Sequence, residues 1–302
     1  MVSVPIHLRA PASSANLGSA FDVAAIALAL YNEVSAEPAE RDTVDVEGEG
    51  AAALRGGAPN LLLLALDRFA AEVSWRRPAL ALHLLNRIPL GRGLGSSAAA
   101  IAAGLRLGEA LSGLPLPAPH LLALAASIEG HGDNTSAALL GGFTISVQAG
   151  EELVALRLKV PADLRLVIFV PDYAVSTTAA RAVLPSSVPR GDAVFNVGRA
   201  ALLAGAFATG DWRLLSTAMD DRLHQPYRLP LYQAMQPILA AARSAGAYGS
   251  AVSGAGPSAA APADVALVDQ VAAAMTAAAQ EHGVAGRALV LAVDAGGTTV
   301  IA

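Results

Sequence analysis

Ile88-Pro89-Leu90-Gly91-Arg92-Gly93-Leu94-Gly95-Ser96-Ser97-Ala98-Ala99 is the stretch on which the reading of this chain turns. The apolar run before it, residues 80–88, reads as a strand that stops at Pro89. Three glycines follow, and two serines open an Ala- and Leu-rich helix over 96–111. Glycine lets the backbone approach a bulky anion closely and reach positive φ. The first N–H groups of a helix have no intrahelical partner, and the helix dipole places roughly half a positive charge at that end. Ser96 and Ser97 add two hydroxyls. A serine-capped helix after a flexible turn is the plainer alternative, but the full Pro-x-Gly-x-Gly-Leu-Gly-Ser-Ser-Ala run predicts a cradle for the triphosphate of ATP along residues 89–99.

Composition narrows how such phosphates could be neutralised. The 302 residues contain one lysine, Lys159, inside a strand-like run at 156–160. That is neither the lysine of a P-loop nor the strand lysine of a protein kinase, so backbone N–H groups are expected to be the main ligands. Cysteine is absent, which excludes disulfides, thiolate metal sites and cysteine nucleophiles. A net charge of −5 with no basic block argues against nucleic acid as a partner. The N-terminal residues carry no signal-peptide pattern, and no run of about 20 apolar residues is free of charge, Pro and Gly. The expectation is a cytoplasmic protein with no membrane partner.

A 54% apolar share suffices for one large or two medium domains. Strands are expected at 4–11, 31–37, 43–47, 80–88, 143–147, 153–160 and 166–171. Helices are expected at 60–72, 96–111 and 119–129, then at 193–209, 211–216, 232–245 and 265–282. Strands at 248–253 and 288–293 flank the last helix. No regular βαβ repeat emerges, so the class is α+β. A boundary near 150–165 divides the chain into domains at 1–160 and 161–302.

Two further segments accompany the glycine-serine loop. One is Pro11-Ala12-Ser13-Ser14-Ala15-Asn16-Leu17-Gly18-Ser19-Ala20-Phe21-Asp22-Val23, and the other is Ala247-Tyr248-Gly249-Ser250-Ala251-Val252-Ser253-Gly254-Ala255-Gly256-Pro257-Ser258. In this order the three resemble the motifs of the GHMP kinases. Glu129-Gly130-His131-Gly132-Asp133-Asn134 is similar to that family's Glu-Gly-His-Pro-Asp-Asn. Thr177 to Pro185, with Thr-x-x-x-Arg and then Leu-Pro, Asn196-Val197-Gly198-Arg199 and Gln225-Pro226-Tyr227-Arg228 also fit. The first segment looks most like the branch that acts on homoserine, whose usual form is Ser-Ala-Asn-Leu-Gly-Pro-Gly-Phe-Asp. Ser19-Ala20 replace the usual Pro-Gly, and Gly132 replaces the usual Pro.

The resemblance implies a two-domain fold, an N-terminal ATP-binding α+β domain and a C-terminal ferredoxin-like one. It implies transfer of a phosphoryl group from ATP to L-homoserine, a step of threonine biosynthesis. Another GHMP small-molecule kinase, mevalonate-type or acting on a sugar, is the alternative. Asp22, supported by Asn16, would accept hydrogen bonds from the substrate ammonium. Arg181 and Arg228, with Thr177 nearby, would hold the carboxylate, because guanidinium forks match it two atoms to two. Asn134, with His131 beside it, would orient the hydroxyl, and Asp133 is the candidate base if one is needed. Mg²⁺ would take Glu129 and Ser97. The third segment would pack a Gly-rich turn against the phosphate region. The assembly is left open to a homodimer. The other histidines, His224 among them, read as structural or surface residues.

Overall fold

In a computed structural model, residues 5–56 and 59–301 are described. The chain opens with β1 (Ile6–Ala15), β2 (Ala24–Pro38) and β3 (Thr43–Gly48), followed by the short α1 (Ala51–Arg55). Next come α2 (Leu61–Glu72), β4 (Leu80–Asn86), α3 (Ser96–Ser112), α4 (Ala118–Glu129) and α5 (Asp133–Leu140). The hairpin β5 (Phe143–Ala149) and β6 (Glu152–Leu158) leads to β7 (Leu164–Pro171). Then follow α6 (Thr177–Ala182), α7 (Arg190–Thr209), α8 (Leu215–Ala218), α9 (Gln225–Arg228) and α10 (Met235–Ser244). The chain closes with β8 (Ala251–Val252), β9 (Ala259–Asp264), α11 (Val268–Glu281), β10 (Gly286–Ala292) and β11 (Thr299–Ile301).

Two sheets result. The first runs β11-β1-β2-β4-β3, with β5 and β6 added at the start of the long β2. Among the described residues, only β3 and β4 pair in parallel. The second is antiparallel throughout, in the order β10-β7-β9-β8. Its strands and the helices α10 and α11 follow one another as in a ferredoxin-like unit. One face of this sheet, with Val167 and Phe169, buries against Ile238, Val271 and Met275 of those helices. Its other face, with Leu166 and Ile168, joins a core shared with Leu8 and Leu28 of the first sheet and Phe207 and Trp212 after β7. The two sheets are thus cemented through apolar area, the main favourable term in folding.

The helices that carry the glycine-serine loop are fixed by caps and close packing. The Asn60 Oδ1 accepts from the N–H groups of Leu62 and Leu63 at 3.0 and 3.3 Å, so Asn60 is the N-cap of α2. Gly95, in the left-handed region at φ 66°, precedes α3, and no side chain caps that helix. Where α2 crosses α3, a Cβ on Gly104 would lie 2.2 Å from the Leu62 carbonyl oxygen.

Several elements depart from the sequence expectation. Helices α1, α5, α6 and α9 and strands β9 and β11 are not among the expected elements, β2 starts at Ala24 rather than at 31, and the expected strand at 248–253 narrows to Ala251–Val252. The expected helix at 211–216 is a 3₁₀ turn, Trp212–Leu214, running into α8. The start expected for the first strand, Val4, lies outside the described residues. α5 opens on Asp133, Asn134, Thr135 and Ser136, all buried, so no polar-apolar period marks it. β9 is built from small residues around Pro262, a composition of low strand propensity that pairing with β7 overrides. The final strand β11 returns to pair with β1 of the first sheet.

The Gly104 contact yields a stability test. Ala raises helix propensity by about 1 kcal/mol over Gly, but its methyl would have to push the α2 backbone away. Overpacking costs about 1–3 kcal/mol, so Gly104→Ala should lower the thermal midpoint. A melt at or above wild type would show that α2 and α3 separate freely.

Candidate active site

Three glycines shape the loop between β4 and α3. Gly91, Gly93 and Gly95 have φ of 65, 72 and 66°, the left-handed region that other residues enter at a cost. Space excludes side chains as well. A Cβ on Gly93 would sit 2.1 Å from the Ser253 carbonyl oxygen, and one on Gly95 would sit 2.0 Å from the Ser13 Oγ. The Arg92 guanidinium is engaged by backbone carbonyls. It donates to those of Pro171, Leu90 and Asp172 at 2.8–2.9 Å and fastens the loop to the end of β7. The uncapped start of α3 therefore opens toward the cleft with its N–H groups free for an anion.

Opposite the serines stands an acidic wall from the end of α4 and the start of α5. The Ser97 hydroxyl donates to Glu129 Oε1 at 2.5 Å. Burial raises the Glu129 carboxyl, and the charge of Asp133 adds to this. The Ser97 hydrogen bond, His131 and Arg181 only partly offset it. His131 Nδ1 lies 2.6 Å from Asp133 Oδ1. Burial lowers His131, but the hydrogen bond and charge of Asp133, with Glu129, outweigh it and leave the imidazole raised. Asp133 Oδ1 also accepts from the Asn134 backbone N–H at 2.6 Å. Asn134 is oriented from its other side by the Ser13 hydroxyl, which donates to its Oδ1 at 2.8 Å.

The facing wall is cationic. Asp22 and Arg181 form a two-pronged pair at 2.8 and 2.9 Å that spans the two sheets' connections. Both are about one-third exposed. Asn16 is buried. It donates from Nδ2 to the Gly254 carbonyl at 2.8 Å and accepts from the Asp22 N–H at 2.9 Å. Arg228 is 1% exposed. It donates from Nε to the Ala180 carbonyl at 3.0 Å and from Nη1 to the Gly254 carbonyl at 3.2 Å. Burial lowers the Arg228 guanidinium, with Arg181 adding to that direction. Phe21 lies under both arginines, 5.8 and 5.1 Å from its ring centre to the guanidinium carbons.

A cleft of about 250 Å³ joins these walls. Residues 89–97, Asn16, Asp22, Glu129, His131, Asp133, Asn134, Thr177, Arg181 and Arg228 all line it. Ala98 does not; it is buried in a cluster under α3. Ala99 lines an adjoining apolar pocket of about 230 Å³, which also includes Leu54, Leu61, Leu84, Leu90 and Ser96. Lys159 is exposed and lines neither. Sequence reasoning missed Ser13 as the orienter of Asn134, and nothing local marks that role. Of the two readings given for His224, structural or surface, the structure gives the first: its side chain is fully buried.

The fold and cleft define a kinase of the GHMP kind. The family model for the GHMP kinases N terminal domain matches residues 60–142, and that for the GHMP kinases C terminal matches 203–281. The homoserine kinase of Desulfitobacterium hafniense is 38% identical over 98% of this chain and 100% of its own length. That of Caldicellulosiruptor bescii is 41% identical over 88% of this chain and 85% of its own. The crystal structure of homoserine kinase from Cytophaga hutchinsonii superposes with a TM-score of 0.89 at 28% identity, covering 100% of this chain and 98% of that one. The chain belongs to the GHMP kinase family, among its homoserine kinases.

Glu129 gives a test that needs no substrate. Its carboxyl is raised in the folded state, so above that value the charged form opposes folding, and below the unfolded value the penalty is gone. Glu129→Gln should therefore melt higher than wild type near neutral pH, with the difference fading by about pH 4. A lower midpoint at neutral pH would mean that the carboxylate is stabilised in place.

Proposed function

We propose that this chain phosphorylates L-homoserine with ATP and Mg²⁺, yielding O-phospho-L-homoserine and ADP. The observation that carries the assignment to particular residues is Arg228. It is a buried guanidinium with no carboxylate among its hydrogen-bond partners, lining the cleft that holds Asp22 and the free start of α3. A desolvated guanidinium favours an anionic partner. The carboxylate of an amino acid supplies one there, while its ammonium meets Asp22. Mevalonate has no ammonium and would leave Asp22 facing only Arg181.

The Asp22–Arg181 pair is consistent with this reading. A pair this exposed is worth about 0–1 kcal/mol, so a zwitterion can part it cheaply and offer each half a new counter-charge. The triphosphate would lie on residues 89–97 and the base in the adjoining apolar pocket, where Ser96 and Ser97 line both spaces. Glu129 and Ser97 suit a hard divalent ion, because a desolvated carboxylate beside a hydroxyl offers oxygen donors and lacks a fixed cation. When bound, Mg²⁺ shields the phosphate charge from the incoming hydroxyl oxygen.

The chemistry then needs mainly alignment. Asn134, gripped by Ser13 and Asp133, would hold the substrate hydroxyl in line with the γ-phosphorus. The new P–O bond forms as the bond to ADP breaks, and in a loose transition state the hydroxyl proton passes late, to a phosphoryl oxygen or to water, without a strong base. Asp133 Oδ1 already serves His131 and the Asn134 backbone, which fits a positioning carboxylate rather than a free base.

ADP release should be rapid with homoserine and absent with mevalonate or galactose; the reverse would refute the reading. Arg228→Ala should raise the homoserine KM far more than the ATP KM, because truncating one side of a buried charge pair costs about 2–5 kcal/mol. Unchanged homoserine kinetics would remove Arg228 from the site. Asp133→Asn should retain more turnover than Asn134→Ala, since the amide keeps the Oδ1 acceptor while a nucleophile displaced by about 1 Å loses on the order of 100-fold. If Asp133→Asn is the dead variant, with a loss of about 100- to 10,000-fold, base catalysis governs instead.

A further inference from the structure

His224 directly precedes α9, one helical turn before Arg228, and its side chain is fully buried. Its Nε2 lies 2.8 Å from the Gly18 carbonyl oxygen, and its Nδ1 lies 3.2 Å from Arg228 Nη1. A carbonyl can only accept and a guanidinium can only donate. The two contacts therefore fix the neutral tautomer, with the hydrogen on Nε2 and the lone pair of Nδ1 turned to Arg228. Burial lowers the imidazole, and Arg228 works in the same direction. Asp221, at 3.6 Å from Nε2, the Gly18 carbonyl and Asp22 oppose them without reversing the result.

The rest of the environment holds the ring still. It stacks on Phe21, centroids 5.0 Å apart at 22°. Asp221 anchors the turn before it, accepting from the N–H groups of Leu223, His224 and Gln225 and from Asn196 Nδ2. Asn196 Nδ2 also donates to the Ser19 carbonyl. The ring thus touches Gly18, Phe21 and Arg228 together.

We propose that His224 is a positioning residue for substrate selection: its Nδ1 acceptor and the Gly254 carbonyl clamp Arg228 Nη1, and so aim the guanidinium at the substrate carboxylate. The proposal rests on the assignment of Arg228 to that carboxylate. Without the Nδ1 acceptor the guanidinium keeps two carbonyl contacts, from Nε and Nη1, and is free to swing about them. A protonated imidazole would turn a donor toward Nη1 and repel it.

Two variants separate the acceptor from the bulk. In Asn the side-chain oxygen occupies the place of Nδ1, two bonds from Cβ. In Gln the amide nitrogen occupies the place of Nε2, three bonds from Cβ. His224→Gln should keep the bond to Gly18 and lose the clamp, whereas His224→Asn should keep the clamp. Expected for His224→Gln is a homoserine KM raised about 10- to 100-fold, with kcat and the ATP KM within about threefold of wild type. Its preference for homoserine over 3-aminopropan-1-ol, which lacks the carboxylate, should fall by a similar factor. His224→Asn should restore both quantities to within about threefold of wild type.

A wild-type preference in His224→Gln, or equal losses in both variants, would overturn the proposal. The tautomer provides a check that needs no substrate. The ¹⁵N spectrum of wild-type protein near neutral pH should show His224 protonated at Nε2 only. A proton on Nδ1 would also overturn the proposal. A wild-type enzyme inert to homoserine, but with this tautomer, would instead refute the substrate assignment.

Discussion

The close approach of the glycine loop to two distant segments is the constraint on which the site depends. Gly93 rests against the turn between β8 and β9, and Gly95 against β1, at separations that leave no room for a Cβ. Backbone and short side chains bind the three together. The Ser13 N–H donates to the Leu94 carbonyl and the Gly254 N–H to the Ala15 carbonyl, at 3.1 and 3.0 Å. The Ser253 hydroxyl lies 2.6 Å from the Gly93 carbonyl and 2.8 Å from Ser14 Oγ. The loop is therefore held from both sides before any nucleotide arrives. Preorganisation of this kind lowers the cost of binding, and a reaction that needs alignment more than proton chemistry gains most from it.

The same constraint explains what the sequence could and could not convey. The loop, the strand before it and the helix after it were legible, because glycine, serine and alanine in that order have a local meaning. The glycines were read as making room for an anion. Gly93 and Gly95 also make room for protein backbone and for Ser13, and no local pattern carries that. α5 was illegible for a related reason. Its first four residues are polar yet buried, with Ser13, His131 and the start of the helix absorbing Asp133 and Asn134. β9, an alanine run interrupted by Pro262, is a strand because β7 and β8 flank it. The positions of Asp22, Arg181 and Arg228 in one cleft were inferred from resemblance. Their residues stand far apart in the chain, and only the tertiary fold brings them together.

Charge in the cleft is arranged at a cost to the empty protein. Burial raises Glu129 on one wall and lowers Arg228 on the other. Each is displaced in the direction that penalises its charged form, and neither is paired with the other. A structure optimised for stability alone would have joined such groups or replaced them with apolar ones. Asp133 is joined to His131 and Asp22 to Arg181, and the second pair is the more exposed one, whose separation costs least. Deep groups that await a partner and shallow groups that exchange one suit the cleft proposed above to hold a metal-bound polyphosphate on one side and a zwitterion on the other.

The two departures from the family motifs can be judged on the same physical footing. At Gly132, a Cβ would meet Leu153 Cδ2 at 2.7 Å and Cδ1 at 2.9 Å. Leu153 of β6 occupies part of the volume a proline ring would need, and Gly132 and Leu153 together line a cavity of about 600 Å³ that also meets Asp22 and His131. Ser19 turns its hydroxyl away from the cleft and donates to the Ala218 carbonyl at 2.7 Å. Ala20 is buried. The neighbouring Gly18 lies so close to α8 that a Cβ would fall 1.9 Å from the Met219 carbonyl oxygen. Its φ of 84° and the left-handed φ of Asn16 and Asp22 hold the turn in the course that presents Asp22 to Arg181. A serine in this turn gains an anchor on the far side. The proline of the family's motif stiffens a turn by fixing φ, whereas Ser19 does so by hydrogen bonding, and Asp22 stays paired with Arg181 in the cleft.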